Sequence, residues 1–146
     1  MAVIHLPRNT KTWVNFVGAG VWFTGLGWVI VHFLIKPQDP LGFANSSSEP
    51  LWLKIHGAFA FMALWTGGML WGIHVVKAWG TRRHRWSGSA LFGAFLVLIV
   101  SGYLLYYVAD ESARNVISWS HWSLGLVLPL AYLAHRLAKK IRPARR

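Results

Sequence analysis

Charge falls along this chain in blocks. Four segments lack Asp, Glu, Lys and Arg altogether: residues 12–35, 55–76, 86–109 and 115–135. Each has about 20 residues or more, enough to cross a ~30 Å hydrocarbon layer as a helix. Short connections between them predict antiparallel neighbours. The pattern therefore predicts an all-α membrane protein, a four-helix transmembrane bundle forming one domain over residues 1–146. Its helices are expected at about 12–35, 52–77, 86–109 and 115–138. The first apolar run is too long for a signal peptide and lacks a convincing small-residue cleavage site, so it reads as a retained helix. The halves show no clear sequence repeat, and low complexity is confined to residues 45–48.

Composition agrees. The 146 residues are 55% hydrophobic and 13% charged, with 10 Trp, a balance wrong for a soluble domain of this size. Cys is absent, which excludes disulfides, thiolate metal sites and covalent c-type haem attachment.

The net charge of +11 raises nucleic acid as a partner, and its placement argues against that. One side of the predicted bundle carries Arg8, Lys11, Lys77, Arg82, Arg83, Arg85, Arg136, Lys139, Lys140, Arg142, Arg145 and Arg146, twelve of the fifteen basic residues and no acid. The other side carries Lys36, Lys54 and Arg114 with all four acids, Asp39, Glu49, Asp110 and Glu111. The positive-inside rule then puts both termini in the cytoplasm of a multi-pass protein of the bacterial inner membrane. The basic excess is a topology signal and a contact for lipid headgroups, with no nucleic-acid recognition motif beside it.

Histidine supplies the candidate chemistry. His56 and His74 stand near the outer and inner ends of the second span, and His121 and His135 near the outer and inner ends of the fourth. At ~100° per residue, the first pair shares one helix face ~27 Å apart, and the second pair is offset by ~40° over ~21 Å. Antiparallel packing is expected to put His56 beside His121 and His74 beside His135. Ala60, Ala63, Gly67 and Gly68 down the second span, and Gly125 on the fourth, leave room for something flat or for close helix contact. Imidazoles without acidic neighbours suit zinc or di-iron carboxylate sites poorly. Bis-imidazole iron in a porphyrin needs only one His from each of two helices. The expectation is two haem b groups, one per membrane half, with metal ligands His56, His121 (outer) and His74, His135 (inner).

This arrangement resembles the small membrane-anchored diheme b-type cytochromes, such as the cytochrome b subunits of formate dehydrogenases and nickel-iron hydrogenases. In that family one helix carries two ligating histidines 14 residues apart, matched by His121 and His135, and a second helix supplies an outer partner, matched by His56. The family's inner haem commonly takes its other ligand from the first helix. Here the first helix has no histidine at its inner end, and His74 would serve. A flavinylation-associated four-helix cytochrome is a comparable match. The resemblance covers residues 12–137.

Several residues are secondary candidates. Arg82, Arg83, Arg85 and Arg136 could pair with the propionates of the inner haem, or act as positive-inside signals alone. His84 is an alternative inner ligand. His32, with Trp28 one turn away, is a candidate for a quinone contact or an alternative ligand, and equally reads as a plain interfacial residue. Trp13, Trp79 and Trp86, and Trp52, Trp119 and Trp122, read as interfacial belts. The loop 36–50 reads as a surface connector or a docking site for a periplasmic partner.

The expected function is transmembrane electron transfer between a quinone pool and a partner redox protein, as a subunit without its own catalytic residues in an oxidoreductase complex. The rival expectation is a haem-free transporter or assembly anchor that relays protons through its histidines.

Overall fold

The computed structural model describes residues 6–34, 48–80 and 85–141, with side chains in the last helix described as far as residue 137. The regular elements among them are all helical: α1 (Arg8–Leu34), α2 (Glu49–Leu70), a π-helical turn (Trp71–Val75), α3 (Val76–Gly80), α4 (Arg85–Tyr107) and α5 (Glu111–Ile141). The second, third and fourth of these run on as one stretch, so the described residues hold four helical runs long and apolar enough to cross a membrane: Arg8–Leu34, Glu49–Trp79, Arg85–Tyr107 and Glu111–Leu137.

All four long helices begin before the charge-free segments do, at Arg8, Glu49, Arg85 and Glu111. Hydropathy marks where a helix enters hydrocarbon, and the backbone's own hydrogen bonds decide where it starts. The Lys11 N–H bonds the Pro7 carbonyl at 3.1 Å and opens α1. Asp110 opens α5, its Oδ1 accepting the Ala113 N–H at 2.8 Å and its carbonyl accepting the Arg114 N–H at 2.9 Å. Such a cap contributes about 1 kcal/mol. Glu49 and Glu111 in the first turns add a charge complementary to the helix dipole. Pro129 lies inside α5, where it denies the Gly125 carbonyl its helical partner, and the helix continues through it.

Burial is inverted relative to a water-soluble fold. Among the described residues the buried ones are Val17, Val31, Thr24, Thr66 (5% exposed) and Ser101 (8% exposed). Large apolar side chains face outward, among them Phe61 at 78% and Trp86 at 91% exposed. In water each would forfeit roughly 25 cal/mol per Å² of apolar surface. In hydrocarbon that penalty vanishes, and small and hydroxyl residues are left to make the helix contacts.

The chain divides into two compact units, His5–Met69 and one built around Leu70–Arg146. In the first, α1 and α2 pair antiparallel. The Trp13 indole N–H donates to Thr66 Oγ1 at 2.9 Å near one end, and Trp52 lies against Gly27 near the other. Between them the Phe59 ring covers Gly20, where an added Cβ would collide with it. Glycine is required at such a contact, because any side chain would hold the helices apart. In the second unit α4 and α5 pair antiparallel, with Leu98 over Gly125, and Trp71 of the π turn rests on Phe92 of α4 with ring centroids 5.0 Å apart.

Candidate functional site

A hydroxyl inside a helix can satisfy itself on its own backbone. Thr24 does so, its Oγ1 donating to the Gly20 carbonyl at 2.6 Å with the Val21 carbonyl at 3.1 Å. A hydroxyl has one proton to give, and two lone pairs that still accept. His56 uses them. Its Nδ1 lies 3.1 Å from Thr24 Oγ1 and 3.1 Å from the Val21 carbonyl. A carbonyl can only accept, so Nδ1 carries the proton, and in the neutral ring Nε2 carries the lone pair. Gly25 makes the approach feasible: a Cβ there would stand 3.1 Å from His56 Cε1.

The same device occurs twice between α4 and α5. Ser101 donates to the Val97 carbonyl at 2.6 Å and faces His121 Nδ1 at 2.8 Å. Its proton being engaged, it accepts, and His121 again carries its proton on Nδ1. Gly102 lets that ring in, at 3.2 Å from an added Cβ to Cε1. Further along, Ser87 Oγ lies 2.9 Å from His135 Nδ1, and a Cβ added at Gly88 would stand 3.8 Å from the ring's Cε1. Ser87 and Ser101 are 14 residues apart, as are His121 and His135, so both contacts form in one antiparallel register.

Thus three of the four predicted ligand histidines, His56, His121 and His135, are half-buried rings held by Nδ1 on a hydroxyl–glycine pair of the adjacent helix. The positions Thr24, Ser87 and Ser101, with Gly25, Gly88 and Gly102, were not anticipated from sequence. Their signal was present: a hydroxyl residue followed by Gly inside an otherwise apolar span. Thr66–Gly67 is a fourth such pair, and its hydroxyl takes the Trp13 indole instead.

His74 is different. It lies half-buried in the π turn, where the Val76 N–H reaches back to the Trp71 carbonyl. The expectation that His56 and His74 share a face assumed unbroken α-helix between them. A π turn spends one residue more than an α turn, so that whole-turn arithmetic does not apply. π turns of this kind recur at functional positions.

A second correction concerns His32. The histidines were expected to lack acidic neighbours, yet His32 Nδ1 lies 2.7 Å from Glu49 Oε1. The imidazole also stacks on Trp28, with centroids 4.6 Å apart and planes 16° from parallel. The predicted inner cations are engaged locally. Arg85 donates through Nε to the Trp79 carbonyl at 2.9 Å and lies over the Trp79 ring, and Arg136 lies over Tyr132. Arg82, Arg83, His84 and most of the loop 36–50 lie outside the described residues. Among the described residues no group of three or more His, Cys, Asp or Glu side chains could hold a metal ion. No family model, curated protein or solved structure matches the chain.

Proposed function

We propose that this protein is a four-helix diheme cytochrome b that moves electrons across a membrane. The observation that carries the reading is the handling of the histidine protons. A histidine that ligates iron through Nε2 needs its Nδ1–H held by an acceptor, which fixes the tautomer, aims the ring and raises its basicity. His56 and His121 have that arrangement on Thr24 and Ser101, and His135 has the equivalent contact with Ser87. A plain interfacial histidine needs neither a buried hydroxyl nor a glycine against its ring.

In this reading His56 and His121 hold an outer haem, and His74 and His135 an inner one. Bound haem supplies one-electron oxidation and reduction of its iron. The chain's own part is to orient the imidazoles and to surround them with apolar helix surface that excludes water. The basic residues flanking the inner ends set both termini in the cytoplasm, and Arg82, Arg83, Arg85 and Arg136 are the candidates for propionates. The acids Asp39, Glu49, Asp110 and Glu111 then face the periplasm, where a redox partner subunit docks, and the quinone pool supplies or takes electrons from the bilayer. The host membrane is the bacterial inner membrane.

Two measurements on the purified protein test this. A reduced-minus-oxidised spectrum should show b-type bands, and acid-acetone extraction should yield two haems per chain. One haem would overturn the two-pair assignment. A colourless protein would favour the second reading, a haem-free transporter or anchor that relays protons, for which the His32–Glu49 contact is the supporting observation.

A further inference from the structure

The last two turns of α1 and the first turn of α2 bring together three groups that the proposed haem sites do not use. His32 and Glu49 face each other at 2.7 Å, with side chains 44% and 23% exposed. The carboxylate accepts, so the His32 Nδ1 proton points to it, and in the neutral ring Nε2 is left as an acceptor. Trp28 stacks under the same ring, and its Nε1–H is buried with no hydrogen-bond partner among the described residues. Buried polar groups are nearly always paired, so an indole N–H left over beside an acid–base dyad is a donor in want of an acceptor. Phe33 stands edge-on to the His32 ring, with centroids 4.8 Å apart, and its own ring is exposed. The cluster thus offers one hydrogen-bond donor and one acceptor between two aromatic rings, Trp28 and Phe33.

We infer that Trp28, His32 and Glu49 form a binding site for the headgroup of a membrane-soluble quinol, at the end of α1 that the proposed topology puts outside. This rests on the cytochrome reading only for its purpose. The chemistry follows from the donor–acceptor set. A quinone ring carries acceptor oxygens alone and would leave His32 Nε2 without a donor. A hydroquinone hydroxyl donates to His32 Nε2, while a ring oxygen accepts from the Trp28 N–H. The exposed Phe33 ring suits an isoprenoid tail, and the stacked Trp28–His32 pair suits a flat ring at its edge. Glu49 does not touch the ligand. It is a positioning residue that fixes which imidazole nitrogen is the acceptor.

The test is calorimetric titration of the full chain, in nanodiscs free of native quinone, with 2-heptyl-4-hydroxyquinoline N-oxide, a quinol analogue bearing a hydroxyl and an acceptor oxygen. Wild type should bind one molecule per chain. Trp28→Phe keeps the stacked ring and removes one donor, so affinity should fall about three- to tenfold, the worth of one hydrogen bond. His32→Leu and Glu49→Gln should each weaken binding by at least as much. Haem content, measured by extraction on the same samples, should stay at the wild-type value in all three. Unchanged affinity in both Trp28→Phe and His32→Leu would overturn the site, as would loss of haem in His32→Leu, which would make His32 an iron ligand. Calorimetry does not need haem, so a colourless protein that binds with this residue dependence would overturn the cytochrome reading and leave the quinol site standing.

Discussion

His121 donates its Nδ1 proton to Ser101, 2.8 Å away, and Ser101 can only receive it because its own proton is engaged with the Val97 carbonyl at 2.6 Å. One side chain thereby determines which nitrogen of another is basic. The same logic joins His56 to Thr24 and Val21, and each case exposes the tautomer to experiment.

Removing the acceptor should loosen the metal. In Ser101→Ala the His121 ring loses its orienting partner, and outer-haem affinity should fall about 10- to 100-fold, the usual cost of deleting such a contact. Ser101→Thr keeps the hydroxyl and should stay near wild type. Haem transfer to an excess of apomyoglobin measures the release rate. Equal rates in all three proteins would show that Ser101 is structural only.

The glycines should be as sensitive as the hydroxyls. Gly102→Val puts atoms where His121 Cε1 lies, since even a Cβ would be 3.2 Å from it. It should abolish the outer haem while the protein still inserts. Gly20→Ala instead forces the Phe59 ring, which lies over that position, away from α1. Overpacking of this kind costs about 1–3 kcal/mol, so the midpoint of thermal unfolding should drop with haem stoichiometry unchanged.

Thr66→Val serves as a contrast. It deletes the acceptor of the Trp13 indole in the one hydroxyl–glycine pair that holds no histidine. Stability should fall by about 1 kcal/mol for the lost hydrogen bond of the part-buried indole, and both haem bands should persist. A missing band would mean that the α1–α2 contact itself shapes a haem site.

Substituting ligands should sort the haems into two classes. His56→Ala and His121→Ala should remove one and the same haem, and His74→Ala and His135→Ala the other. Potentiometric titration of the residual band distinguishes them. In oriented vesicles, a membrane-impermeant reductant outside should reduce both haems of the wild type. In His56→Ala, reduction of the inner haem should slow by orders of magnitude. An unaltered rate there would take the outer haem off the path.

The spans were legible because charge is excluded from hydrocarbon, and four long gaps between charges are hard to produce otherwise. Their ends were less so: Arg8, Lys11, Glu49, Glu111 and Arg114 belong to helices although they interrupt the apolar pattern. Spacing alone made His121 and His135 visible as a pair, because α5 stays helical between them. It misled for His74, since the turn at Trp71–Val75 has no distinctive composition, and its extra residue appears only in the backbone. Glu49 and His32 are 17 residues apart across a loop, a separation at which sequence carries no information about contact. The hydroxyl acceptors were in view, but Ser and Thr are common in spans, and only the partner ring distinguishes those that matter.

The equal 14-residue intervals on α4 and α5 make this hairpin a vernier with a single coincidence. Slide α5 by one turn and His121 would meet Val97 or Leu105, neither of which offers a side-chain acceptor. The contact at Ser87 would be lost in the same movement, because a rigid helix carries both rings together. Intermediate alignments gain nothing. Two helices with no hydrophobic force to choose among their many alignments, the condition of a bilayer interior, would therefore settle into one, with both rings already aimed.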